Sequence, residues 1–394
     1  MYDFDAVINR NNTGAVKTDA NLIKKVLDLN YYEDSITMWV ADMDFACAPQ
    51  IVDALHKRVD KLIFGYTMPT DEYYQSIINW YERKHNMKIK KEWLVYSLGT
   101  VSAIRNCLRA FTNEGDGVII QPPVYYPFRR EVLETNRKVI YNELVTDMDN
   151  NYKIDFDGFE EKCADPNTKM FIYCNPHNPV GKIWSKAETT QILEICNQHD
   201  VIVFSDEIHC DLIRCGESFT SALNLPNNDN IIVATAANKT FNLAGLHSTN
   251  LVIKSPKLRR LLNEYTGLIN ISPLTMEATI AAYNQCESWV VEVNAVIDKN
   301  IEFIDNFIKK KLPKIKFVKP QGTYLVWLNF SQYGIDITQL LEIISEESHV
   351  ILENGALFGE CGKNFIRVNV ACPYSVVVAV MNRLYLLLGI KLQK

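Results

Sequence analysis

The sequence predicts an α/β fold with a mostly parallel sheet covered on both faces. Five short apolar runs recur along the chain: GVIIQ (117–121), MFIYC (170–174), VIVFS (201–205), NIIVATA (230–236) and LVIK (251–254). Polar or glycine-containing turns follow them, and helical periodicity lies between several, as over 189–197. Unbroken rather than alternating hydrophobicity is what a strand buried on both faces requires. At 394 residues the chain is too long for one small core, so a large domain with a smaller companion is the expectation.

Taken in order, residues 50–62 place Ile51, Leu55, Val59 and Leu62 on one helical stripe, and Asp71 is positioned to cap a second helix through Tyr81. The strand and helix alternation then runs through 117–254. Between Ser288 and Leu312 there is neither glycine nor proline, and Val293, Ile297, Ile301, Ile304 and Ile308 share one face, which reads as a long amphipathic helix stopped by Pro313. Two strand-like runs follow, TYLVWLNF (323–330) and FIRVNVA (365–371). The expected division is an N-terminal segment (1–46) packing with the small domain, a large domain (47–286) and a small α/β domain (287–394).

Composition excludes several roles. Forty-one basic against 47 acidic residues give a net charge of -6, with no basic run for nucleic acid or an anionic membrane. MYDFDAVINRNN has no apolar signal core, and no stretch is expected to reach the length of a membrane span. The ten cysteines are scattered without a CxxC pair, and Cys210, Cys215 and His209 lack metal-site spacing. Reduced thiols in the cytoplasm, with no metal, are the expectation.

The informative residues sit at strand ends, where open α/β sheets bind ligands. Those ends read QPPVYYPF, CNPHNPVG, SDEIHCD and ATAANKTFNLAG. Singly, each has a plainer reading: a solvated lysine, a carboxylate capping a helix, tyrosines packed between prolines, Asn-Pro turns. Together they meet the demands of pyridoxal 5′-phosphate (PLP), which needs an amine for its aldehyde, an acid for its ring nitrogen, a flat ring contact and clustered phosphate donors. Lys239 supplies the amine and Asp206 the acid; Tyr125 suits the ring face, and Asn178 or His209 its oxygen. The LGT at 98–100 precedes a helical pattern, so its N–H groups and the Thr100 hydroxyl suit the phosphate.

The string SDEIHCD followed by NKTFNLAGL resembles the core of class I/II aminotransferase-type PLP enzymes of fold type I. More closely, RNNTGAVKTD (10–19), MWVADMDF (38–45), FGYT (64–67), PPVYYPF (122–128), CNPHNPVGKIW (174–184), PQGTYLVWLNF (320–330) and FIRVNVACP (365–373) resemble the MalY/PatB branch, the cystathionine β-lyases or C–S lyases. The resemblance covers nearly the whole chain. It implies that Lys239 carries PLP as a Schiff base and moves the substrate α-proton, that Asp206 pairs with the ring nitrogen, and that Tyr125, Asn178 and His209 contact the ring or its oxygen. It further implies that Thr100 and Val101 hold the phosphate, that Tyr66 reaches the phosphate of the other subunit in a homodimer, and that Arg367 clamps the substrate α-carboxylate beside Ala41 and Asn178. Two positions depart from the usual aminotransferase pattern: Ala236, where a serine or threonine precedes the lysine by three, and His247, where an arginine follows it by eight. Asn238, just before the lysine, also deviates.

The implied activity is β-elimination from cystathionine or a related cysteine S-conjugate, releasing thiol, pyruvate and ammonia. Transamination of an amino acid uses every one of these residues too. A regulatory, partner-binding role on the same fold is a third reading, against which the joint presence of Lys239, Asp206 and Arg367 speaks.

Overall fold

The computed structural model describes residues 2–147 and 151–391. Its central sheet has seven strands in the order Leu94–Ser97, Thr249–Val252, Ile231–Thr235, Ile202–Asp206, Thr168–Cys174, Gly117–Ile120 and Lys138–Tyr141. The last five are mutually parallel, while Thr249–Val252 runs antiparallel to both its neighbours.

Why these runs are continuous in sequence is visible in the packing. Val118, Ile120, Met170, Ile172, Phe204, Ile232 and Ala234 enter one core, with the helices Thr100–Phe111 and Pro256–Thr266. The alternate residues Ile119, Phe171, Tyr173, Val203, Ile231 and Val233 enter the other. A period-two strand with apolar partners on both sides has no polar face to show. Burying each large aliphatic side chain contributes roughly 1.5–3 kcal/mol.

A four-stranded antiparallel sheet, in the order Lys316–Val318, Leu325–Asn329, Phe365–Asn369 and Glu353–Asn354, lies towards the C-terminus. The helix Glu287–Lys311 precedes it, with Val293, Ile297, Ile301, Ile304 and Ile308 all buried as their spacing predicts. The N-terminal strand Ile36–Thr37 pairs in parallel with Val350–Ile351, so the chain's start is sewn to a segment near its end.

Three expectations are corrected. The helix at 50–62 is Pro49–Val59: Leu62 lies beyond it at φ 62°, and of the expected stripe only Ile51 is fully buried. The helix after it is Asp71–His85, and its cap is Thr70, whose hydroxyl accepts from Tyr73 N–H, leaving Asp71 in the first turn. Tyr374–Lys391 is long and apolar enough, by length and composition, to cross a membrane, against the expectation that no stretch reaches that length. Its Val377, Val380, Met381, Leu384, Leu387 and Leu388 are buried in the protein core.

Candidate active site

The C-terminal ends of the parallel strands open into a cavity of about 420 Å³. Of the residues expected at the site, Ala41, Thr100, Val101, Tyr125, Asn178, Asp206, His209 and Lys239 all line it. Arg367 stands behind Asn178, and Tyr66 lies elsewhere, 99% exposed.

Lys239 sits on the short helix Ala237–Thr240, one step beyond the strand that the sequence suggests as its support. Its Nζ donates to the Ala41 carbonyl at 2.7 Å. Burial brings its pKa down to about 8, with Asp42 opposing the shift. An amine in that range is neutral often enough near neutrality to act as a nucleophile or base.

Asp206 ends its strand with one carboxylate oxygen accepting from Ile208 N–H at 3.3 Å. Burial raises its pKa to about 7, against the pull of that hydrogen bond and of Lys239. The His209 ring packs edge-on to Tyr324, with centroids 5.9 Å apart. Burial holds it neutral, aided by Lys239 and Arg367, and its buried Nδ1 has no hydrogen-bond partner. Underpaired polar atoms in a buried cavity are costly unless a ligand completes them.

At the other end of the cavity the helix Thr100–Phe111 begins at Gly99, which has no side chain to cap the first-turn N–H groups. Thr100 Oγ1 lies 3.0 Å from Thr249 Oγ1, which the reversed direction of Thr249–Val252 brings to this edge. Ser102 and His247 also line the cavity. An uncapped helix start flanked by hydroxyls is a natural anion cradle. Ala236 is buried and contributes no side-chain donor, so His247 and Ser102 mark where donors stand instead. Asn238 lines the cavity as well, with a buried, partnerless Oδ1.

Arg367 lies on Phe365–Asn369 and is almost wholly buried. Its Nη1 donates to Asn178 Oδ1 at 3.0 Å and its Nη2 to the Trp39 carbonyl at 2.9 Å. The segment 38–45 that supplies Trp39 and Ala41 is itself clamped. Arg10 reaches Asp42 at 2.6 Å and Asp44 at 3.0 Å, and the buried Lys17 reaches Asp44 at 2.7 Å. Tyr324 OH adds a hydrogen bond to the Ala41 carbonyl at 2.9 Å.

Sequence reasoning missed three participants: Tyr324, the buried Glu353 that ion-pairs with Arg367, and Asp211. Asp211 accepts from Thr240 Oγ1 at 2.7 Å and from Trp80 Nε1 at 3.2 Å, and lies 2.7 Å from His85 Nε2. His85, Cys210 and Asp211 also bring metal-type ligand atoms within 4.8 Å of one another. The Asp211 oxygens are already satisfied by protein donors, and burial drives the Cys210 thiol away from ionising, so the group reads as a hydrogen-bonded node.

The sequence pattern of the family described as aminotransferase class I and II matches residues 34–384. The chain belongs to that family. It is 36% identical over 380 residues to the cystathionine β-lyase PatB of Bacillus subtilis, covering 95% of this chain and 97% of that one. It is 29% identical over 380 residues to Protein MalY of Escherichia coli, covering 95% and 96% respectively. Among solved structures, cystalysin from Treponema denticola, which contains a pyridoxal 5′-phosphate cofactor, superposes with a TM-score of 0.95 at 34% identity over the full length of both chains. Within the family the chain therefore stands in the MalY/PatB branch.

Proposed function

We propose that this protein is a PLP-dependent carbon–sulfur β-lyase acting on cystathionine or related cysteine S-conjugates. The carrying observation is the convergence of a depressed lysine amine, an underpaired buried carboxyl and an uncapped helix start on one cavity, in a chain whose relatives are named for this chemistry. When bound, PLP supplies an aldehyde for amines and a ring that withdraws electrons from the substrate α-carbon.

The chain's residues divide the remaining work. Lys239 Nζ would hold the cofactor and then carry the proton removed from the α-carbon. Asp206 would keep a proton on the ring nitrogen, exchanging the cost of its burial for a charged partner. Tyr125 would cover the ring, and Asn178 Nδ2, with its Oδ1 engaged by Arg367, would donate to the ring oxygen together with His209. Thr100, Val101 and their helix start would bind the phosphate. Arg367 would orient the α-carboxylate beside Ala41 and Asn178.

Tyr66 would serve the phosphate of a second copy in a homodimer. Its exposure, and that of Leu62, Ile63, Phe64 and Met68 around it, supports that assignment. The same reading divides the chain at 46 and 286 into N-terminal segment, large domain and small domain, and places it in the cytoplasm, where its free cysteines would stay reduced.

Purified protein supplied with PLP and L-cystathionine tests this. The expected result is a visible cofactor band, absent in Lys239→Ala, with pyruvate and thiol formed in equal amounts. Aminated cofactor without pyruvate would make the protein an aminotransferase, and no band at all would remove the enzymatic reading.

A further inference from the structure

The Arg367 clamp is not open as it stands. Glu353 lies directly across the antiparallel pair Glu353–Asn354/Phe365–Asn369, in register with Arg367, and its Oε2 ion-pairs with Nη2. The two side chains are only 3% and 2% exposed. Nη2 thus donates to the Trp39 carbonyl and is in charge contact with Glu353, whose Oε2 has no hydrogen-bond partner, while Nη1 donates to Asn178. The buried Nε has no hydrogen-bond partner. The Phe358 ring fills one face of the guanidinium, with its centroid 4.8 Å from Cζ.

A two-pronged grip on a carboxylate uses either both terminal nitrogens or Nε with one terminal nitrogen. Both grips use Nη2, the terminal nitrogen on the same side as Nε–H, and Nη2 is the nitrogen that ion-pairs with Glu353. A substrate carboxylate at Arg367 would also bring a second anion to a buried cation that already has one. Register and burial together place the Glu353 carboxylate against Arg367 and away from solvent.

We infer that Glu353 competes with the substrate carboxylate for Arg367, so that the carboxylate enters only as Glu353 takes up a proton. The balance is simple: the carboxylate binds as an anion, one proton from solvent joins the Glu353 carboxylate, and no other bond changes. Burial already raises Glu353 to about 7, against the pull of Arg367 and Lys239, so the proton is obtainable near neutrality. The groups facing it are Arg367 from the neighbouring strand, Lys239 from Ala237–Thr240, and Tyr125 and Tyr126 from the segment after Gly117–Ile120. Burial holds both tyrosines neutral, and the helix Ile337–Ser348 packed on the same strand buries only aliphatic and serine side chains.

This inference rests on Arg367 being the carboxylate clamp, and the test separates the two claims. Propionate, which has a carboxylate and no amine, is titrated into the PLP-loaded protein by calorimetry in buffers of different ionisation enthalpy, from below to above neutrality. In the wild-type protein about one proton is taken up per propionate above the Glu353 pKa, and affinity falls about tenfold per pH unit there. Glu353→Gln, near-isosteric and checked for an intact cofactor band, binds propionate with flat pH dependence and without that uptake. Equal proton uptake in both proteins, or weaker binding by Glu353→Gln at every pH, overturns the role of Glu353. Propionate binding that survives Arg367→Ala overturns the clamp instead.

Discussion

Asp206 and Asp211 stand on one short stretch of chain, both buried, and their surroundings could hardly differ more. Asp211 is surrounded by donors from Trp80, His85 and Thr240, at 2.7–3.2 Å. Asp206 has a single 3.3 Å hydrogen bond from Ile208 and faces the cavity. The first is complete within the protein and ties the segment bearing His209 to the short helix bearing Lys239. The second is left underpaired on the cavity wall. Burial alone thus says little about function; the number of donors a buried carboxylate already has separates scaffold from site.

Substitution separates the two carboxylates most sharply. Asp206→Asn is expected to lower kcat about 10²–10³-fold while leaving the fold intact, measured by steady-state pyruvate release. If the rate is unchanged, Asp206 is not the ring partner.

The pH dependence of stability follows with a definite sign. Because burial raises the folded pKa of Asp206 to about 7, above its ordinary value of 3.8, the folded cofactor-free protein binds this proton more tightly than the unfolded chain. The contribution of Asp206 to stability is therefore greatest at low pH and is lost as pH rises towards about 7. Denaturant unfolding of the cofactor-free protein should show Asp206→Asn gaining on wild type across that interval and levelling above it. A difference independent of pH would contradict the assignment.

Asp211→Ala should do the reverse. It strands buried donors on Trp80, His85 and Thr240, at a cost of about 3 kcal/mol in unfolding free energy. A loss under about 1 kcal/mol would mean that water replaces the carboxylate. The smallest effect belongs to Tyr66→Phe, which should weaken PLP affinity about tenfold by spectroscopic titration, with no change in the stability of the cofactor-free chain.

These two aspartates also mark what could be read beforehand. The sheet was legible because strands buried on both faces must be continuously apolar, and Val118–Ile120 and Met170–Cys174 are. Lys239, Asp206, Tyr125 and Asn178 were legible because strand ends converge and their residue types suit one cofactor. Asp211 and Tyr324 were not, since their meaning lies in partners far along the chain, and Glu353 was not because only the antiparallel register sets it opposite Arg367. Asp211 meets Trp80 131 positions away, and Tyr324 meets Ala41 283 positions away. No local pattern encodes such a pairing. Thr70 rather than Asp71 caps its helix for a subtler reason: both are good capping residues, and only the backbone decides which one stands outside the first turn.

The cavity wall built from residues 38–45 carries a consequence for biosynthesis. Every strand of the large sheet has been made once Val252 has been added, and with it Asp206 and Lys239. The wall is fastened by Tyr324, Arg367 and Asn369, the last two reaching back 328 and 329 positions to Trp39 and Val40. A growing chain thus has the elements that carry Asp206 and Lys239 well before the one that carries Arg367, the proposed substrate clamp. The order of synthesis leaves segment 38–45 with its early ties to Lys239 and Asn242 until Tyr324, Arg367 and Asn369 have been made.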